Sequence, residues 1–281
     1  MLDGMAVAAE EWAGSDDPLV AEVGGAAVLA TMPGGDEESG RARVEELIPE
    51  FESRGSVTML LAISAVAPAR TAKAAARAVR RLIDSGQPPP SWAAELHEPI
   101  AVSGCCQLRH ASGAPLVLAA SFARAGRAHS IVVSLKVAEG GRADAILLWD
   151  ADELDHLLRE IEEDSAAIGR PAVFEPLPPA RFRWQVERAL AARADHDRRI
   201  AETLGEDALF DAEGDDGPGD GPMAILLRAR LAALPAAQPP EMSQRGPLSD
   251  AREPDWEWFA ALAADEAGAA LAGRNGDLGE P

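Results

Sequence analysis

Apolar residues recur every three to four positions through the first third of the chain, then every two positions through the middle. The first spacing predicts helices and the second predicts strands. Leu19, Val20, Val23, Ala26 and Ala27 mark one helix, which "TMPGGDEESG" breaks. Val44, Leu47, Ile48 and Phe51 mark the next, with Glu45, Glu46, Glu50 and Glu52 turned away from that stripe. "SVTMLLAISAVAP" is apolar on all sides and predicts a buried helix. "ARTAKAAARAVRRLIDSG" places Ala72, Ala75, Ala76, Val79, Leu82 and Ile83 on one face and closes on Gly86, a residue suited to a helix C-terminus. Residues 16–86 therefore read as a helical bundle or a pair of stacked helical hairpins, after a flexible tail over residues 1–15.

Three prolines in "GQPPPSW" stiffen a connector over residues 87–96. Beyond it Ile100, Val102, Cys106 and Leu108 alternate with polar or small residues. Leu116, Leu118, Ala120 and Phe122 form a second such set, and Ile131, Val133, Leu135 and Val137 a third. "ADAILLWD" is apolar on both faces and reads as a central strand, and "RPAVFEPL" is a candidate fifth. Two amphipathic helices follow in this region, one through Leu154, Leu157, Leu158 and Ile161, the other through Phe182, Val186, Ala189 and Leu190. Asp150 and Glu153 have the spacing of a capping pair for the first of them. Residues 97–206 thus predict a four- or five-stranded antiparallel meander covered on one side by helices. The fold class expected for the whole chain is α+β.

An acidic, glycine-rich stretch over residues 207–222 predicts a disordered linker, and residues 223–281 a helical extension interrupted by prolines. Within that extension "DWEWFAAL" packs four apolar anchors, Trp256, Trp258, Phe259 and Leu262, into eight residues. Such a helix either folds back on its own chain or docks in a groove of a partner or of a second copy.

Charge sharpens this picture. The net charge is −21. Residues 1–54 carry 13 acidic and 3 basic side chains, residues 201–281 carry 17 and 5, and residues 55–200 carry 17 and 18. The acid sits at the ends, which repel phosphate backbones and anionic membranes, so neither nucleic acid nor membrane is an expected partner. No run reaches the roughly 18 apolar residues of a membrane span. The start "MLDGMAVAAEEWAGSDD" lacks the basic and apolar regions of a secretory signal. Two cysteines form no disulfide framework, and a reducing cytoplasm is the expected compartment.

Candidate chemistry is sparse. Both cysteines lie together in "AVSGCCQLRH", residues 101–110. Strict alternation puts Cys106 on the face of Ile100, Val102 and Leu108, and Cys105 on the face of Ser103, Gln107 and Arg109. That geometry favours one core thiol and one surface thiol over a metal pair, and no histidine falls at ligand spacing. The catalytic alternative makes Cys105 a nucleophile, its pKa lowered by Arg109, with His129 nearby. No glycine-rich phosphate loop, no G-x-S-x-G and no H-E-x-x-H occurs, so no cofactor or metal is expected. Arg70, Lys73, Arg77, Arg80 and Arg81 line one side of their helix. They form a solvated face, pair with the chain's own acidic helix at Glu45–Glu52, or receive an acidic partner. With no catalytic constellation, the sequence leans away from an enzyme and towards a protein-interaction or regulatory module. The alternative is an enzyme or small-molecule binder with a pocket between the helical and α+β parts, near Trp92, His97 and Trp149.

Overall fold

A computed structural model of the chain describes residues 12, 14–31, 37–110, 115–167, 172–204 and 220–240. These divide into two compact units. One is helical and comprises residues up to Pro99 together with Gly221–Arg230; the other holds the sheet and comprises Ile100–Asp220 with the residues from Leu231 on. The helix containing residues 221–230, which the sequence sets apart in a C-terminal extension, is thereby counted with the helical unit.

The helical unit is built from α1 (Pro18–Ala30), α2 (Glu37–Ser53), α3 (Val57–Val66) and α4 (Ala69–Asp84), then a 3₁₀ segment (Ser91–His97). Asp17 caps α1, its Oδ1 accepting from the Leu19 N–H at 2.9 Å. α3 carries almost no polar residue and is buried nearly throughout, with Met59, Leu60, Ala62 and Ile63 fully enclosed. It forms the centre against which α1 and α4 pack. α4 ends in a Schellman motif: the Gln87 N–H bonds the Leu82 carbonyl at 3.0 Å, and Gly86 takes φ +99° to allow it.

The sheet unit is a meander of β1 (Ala101–His110), β2 (Pro115–Arg124), β3 (Arg127–Lys136) and β4 (Arg142–Asp150), followed by α5 (Leu154–Ala167), β5 (Ala172–Pro176) and α6 (Pro179–Leu204). The spatial order is β4-β3-β2-β1-β5, all antiparallel. The "ADAILLWD" strand expected at the centre is β4, an edge. Its apolarity on both faces has another cause, because the sheet is covered on both sides. Leu108, Val117, Ala119, Val132 and Trp149 share a core with Leu154, Leu157 and Ile161 of α5. The opposite face lies under α6, which runs along β4 and reaches β1. The helical cover is therefore two-sided, which corrects the one-sided expectation and explains why Leu116–Ala120 and Ile131–Leu135 are buried without alternation.

Asp150 ends β4, and α5 starts only at Leu154 after a turn closed by the Glu153 N–H on the Asp150 carbonyl. The expected capping pair thus belongs to a strand end and a turn. Both edge strands are blunted by carboxylates. The Ile146 N–H of β4 donates to Asp220 Oδ1 at 3.0 Å, and the Phe174 N–H of β5 donates to Glu162 Oε1 at 2.6 Å. An edge donor taken by a side chain is closed to a further strand. Finally, α7 (Asp220–Leu231) follows, with Leu226 and Leu227 fully buried. Among the described residues no helix is long and apolar enough to cross a membrane.

Candidate functional site

The thiol pair is shaped by a β-bulge. Ser103 pairs with Ser121 and Cys106 with Ala119, so three steps on β1 face two on β2, and Gly104 takes φ +63° to absorb the extra residue. The bulge reverses the alternation. Val102 pairs with Phe122 and lies on the face opposite Cys106, which corrects the single face drawn through Val102, Cys106 and Leu108. Beyond the bulge Cys106 and Leu108 do share the core under α5. Cys105 is the buried thiol and Cys106 is half-buried, which corrects the expectation of a core Cys106 and a surface Cys105. Burial pushes each thiol up to about 11, the reverse of the lowering that an attacking cysteine needs. His129 pairs in register with Phe122 of β2 and stacks on its ring at 5.9 Å. It therefore stands two strand spacings from β1, about 10 Å. The fold does not bring Cys105 and His129 together as a catalytic pair.

The pocket candidates separate in the same way. Trp92 is 1% exposed in the core of the helical unit, its indole N–H donating to the Trp12 carbonyl at 3.2 Å. Trp149 belongs to the core between the sheet and α5, and its indole N–H is buried with no acceptor among the described residues. His97 is exposed at the end of the 3₁₀ segment. Both tryptophans are thus core side chains of their own units. Their different hydrogen bonding predicts different tolerances. Trp149→Phe removes an unmatched buried donor and is expected to stay within about 1 kcal/mol of the parent. Trp92→Phe removes one of the two hydrogen bonds to the Trp12 carbonyl, which keeps the Ser15 N–H at 3.3 Å, and is expected to lose about 1–1.5 kcal/mol. Urea unfolding of the two variants gives the order, and the reverse order contradicts this account of the two cores.

The basic stripe survives as a surface. On α4 the side chains of Thr71, Ala75, Ala78, Val79 and Leu82 are buried, whereas Arg70, Lys73, Arg77, Arg80 and Arg81 are exposed. Arg81 is engaged internally by two hydrogen bonds to Glu52, one from Nη2 to Oε2 at 2.7 Å. The Arg81 hydrogen bonds hold the Glu52 carboxyl below its ordinary pKa, and the same bonds raise Arg81. One of the five cations therefore pairs with the acidic helix α2. Lys73, Arg77 and Arg80 show no ion pair with any described residue. The remaining candidates, Trp256, Trp258, Phe259 and Leu262, lie outside the described residues, as do most of the linker over 207–222 and the tail over 1–15.

Sequence reading missed a polar cluster between β1, β5 and α6. Gln185 Nε2 donates to Gln107 Oε1 at 2.9 Å, and Gln107 Nε2 donates to Glu175 Oε1 at 2.6 Å. Arg109 Nη1 donates to that same carboxylate oxygen at 3.0 Å. Two guanidinium groups, Arg181 and Arg188, each lie over the Trp184 ring at 5.6 Å from its centre. The signal for that stack was present as R-x-x-W-x-x-x-R at helical i,i+3 and i,i+4 spacing. The link to Gln107 and Arg109 had none, because it depends on β1 lying beneath α6. Among the described residues no three His, Cys, Asp or Glu side chains gather as a metal site.

Compared with known proteins, the chain matches no family model, no curated protein and no solved structure.

Proposed function

We propose that the chain is a non-enzymatic protein-interaction module whose cationic α4 face receives an acidic segment of a partner protein. The supporting observation is the exposure of Lys73, Arg77 and Arg80, without an ion pair to any described residue, on a helix whose opposite face is buried in the core. A rigidly held helix presents its charges at fixed spacing, which is what selects one partner over another. From Arg70 to Arg80 the stripe is about 15 Å long, enough for two turns of an acidic helix or a short extended acidic run. The blunted edges of the sheet support the same choice, since a strand-adding partner finds Ile146 and Phe174 already occupied. The acid elsewhere in the chain is screened over about 8 Å at physiological salt, so the local stripe governs the contact.

The test is fluorescence anisotropy with a labelled glutamate-rich peptide. Binding is expected to weaken steeply as salt rises, and Arg77→Glu/Arg80→Glu is expected to weaken it at least tenfold without lowering the melting temperature. Unchanged binding in that double variant sinks the assignment. A fall in melting temperature that high salt abolishes shows instead that the face pairs within the chain.

A further inference from the structure

We infer, from the same reading of α4 as a receptor for an acidic partner segment, that this segment also carries a bulky apolar side chain, which seats on Ile83. Ile83 is 39% exposed. Among the described residues the other large apolar side chain left exposed is Val173, on β5 of the sheet unit. Ala72 and Ala76 are half-buried and lie on one line with Ile83 along α4, spaced by one turn and by two. That line runs directly beside Lys73, Arg77 and Arg80, with Ile83 one turn beyond Arg80. The exposed side of α4 is therefore a cationic row with an apolar strip along it.

The two borders of the cationic row differ. Arg81 borders it on the side of α2, where Glu52 holds its guanidinium at 2.7 Å. α2 contains six glutamates against two arginines, so it repels a second acidic chain from that side. The opposite border is the strip of Ala72, Ala76 and Ile83, which carries no charge. Asp84, exposed and one turn beyond Arg80, closes the row at its C-terminal end. An acidic segment is therefore drawn over residues 73–80 and displaced away from α2, and the surface it meets there is apolar. A leucine or an aromatic ring at that point covers Ile83 and takes both side chains out of water, a gain that salt does not screen. A segment of acids alone leaves Ile83 wet, or lays carboxylates on methyl groups at a cost in desolvation. Charge brings the segment to α4, and the apolar contact selects among acidic segments.

Two labelled peptides of equal length and charge test this by fluorescence anisotropy on the full chain. One consists of glutamate and alanine alone, and the other has leucine in place of some of the alanines. The leucine peptide is expected to bind at least about threefold more tightly, and to keep that advantage as rising salt weakens both. Ile83→Gln is expected to bring the two affinities together without changing that of the alanine peptide, and Ile83→Leu to retain the preference. Arg77→Glu/Arg80→Glu is expected to weaken both peptides alike. Melting temperatures verify that each variant remains folded. Equal affinity of the two peptides for the parent chain overturns the apolar seat and leaves the cationic face standing, and a preference that survives Ile83→Gln does the same. Binding of neither peptide to the parent overturns the cationic face, and the seat with it.

Discussion

Replacing Arg230 or Glu22 singly by alanine is expected to destabilise the protein by about 3–5 kcal/mol. The two side chains, 208 positions apart, form a bidentate pair within the helical unit, with Nη1 to Oε1 at 3.0 Å and Nη2 to Oε2 at 2.6 Å. Their side chains are 1% and 3% exposed, so water replaces neither partner when the other is removed. The cost of a single replacement is mainly the desolvated charge left behind. The double variant Glu22→Leu/Arg230→Met removes both charges and keeps the volume, and it is expected to regain most of that loss. A double-mutant cycle by urea unfolding measures the coupling. Single variants that lose less than about 1 kcal/mol, or a double variant worse than the sum of the singles, contradict a buried pair. The expectation also bears on the chain's organisation: Arg230 is the last residue of α7 counted with the helical unit, and Glu22 is the residue of α1 that receives it.

Gly25→Ala is the second large effect, and here the sign itself is at stake. Helix propensity alone says that alanine in the middle of α1 stabilises by about 1 kcal/mol. The crossing of α1 and α3 says the opposite. A Cβ at Gly25 would stand 2.7 Å from the Ala62 carbonyl carbon and 2.8 Å from its oxygen. Those are backbone atoms, and no rotamer change moves them aside. The helices must separate, and contacts around Leu61, Ala62 and Ile63 of α3 weaken with them. Overpacking of this kind costs about 1–3 kcal/mol, and because the atoms met are backbone the upper part of that range applies, which leaves a net loss of up to about 2 kcal/mol after the propensity gain. Gly14→Ala serves as the control, because nothing lies within 4 Å of a Cβ there. A Gly25→Ala variant as stable as the parent would show that α1 and α3 do not approach this closely.

The contrast between those two glycines illustrates which parts of the molecule were legible beforehand. The heptad-like stripe of Val44, Ile48 and Phe51 and the amphipathic face of α4 announce their helices, because a helix that packs on one side must repeat every 3.6 residues. The strands of the meander are equally plain where one face is apolar. The position of β4 differs from the expectation for a specific reason. Apolarity on both faces signals cover on both sides, and it says nothing about whether a strand has one neighbour or two.

The candidate site divides along the same line. The exposed cations of α4 were readable, since their spacing opposite Ala75, Val79 and Leu82 fixes the side they occupy. The thiols were half readable. Adjacent residues on a strand do point apart, but one inserted residue at Gly104 moved Val102 to the other face. The cluster of Gln107, Arg109, Glu175 and Gln185 has no signature in the sequence, because its members come from β1, β5 and α6 and meet only when those elements stack.

The sequence by itself determined most of the local structure of this protein: where helices and strands run, which face of each helix is apolar, and where its acidic and cationic side chains lie along the chain. Those properties follow from periodicity and residue chemistry, which are local quantities. The tertiary structure decided everything that joins distant positions. It set the order of the strands, the second helical layer over the sheet, the pairing of Glu22 with Arg230, and the approach of Gly25 to Ala62. Each of these depends on which surfaces meet in space, and a one-dimensional pattern of apolar positions is compatible with many such meetings.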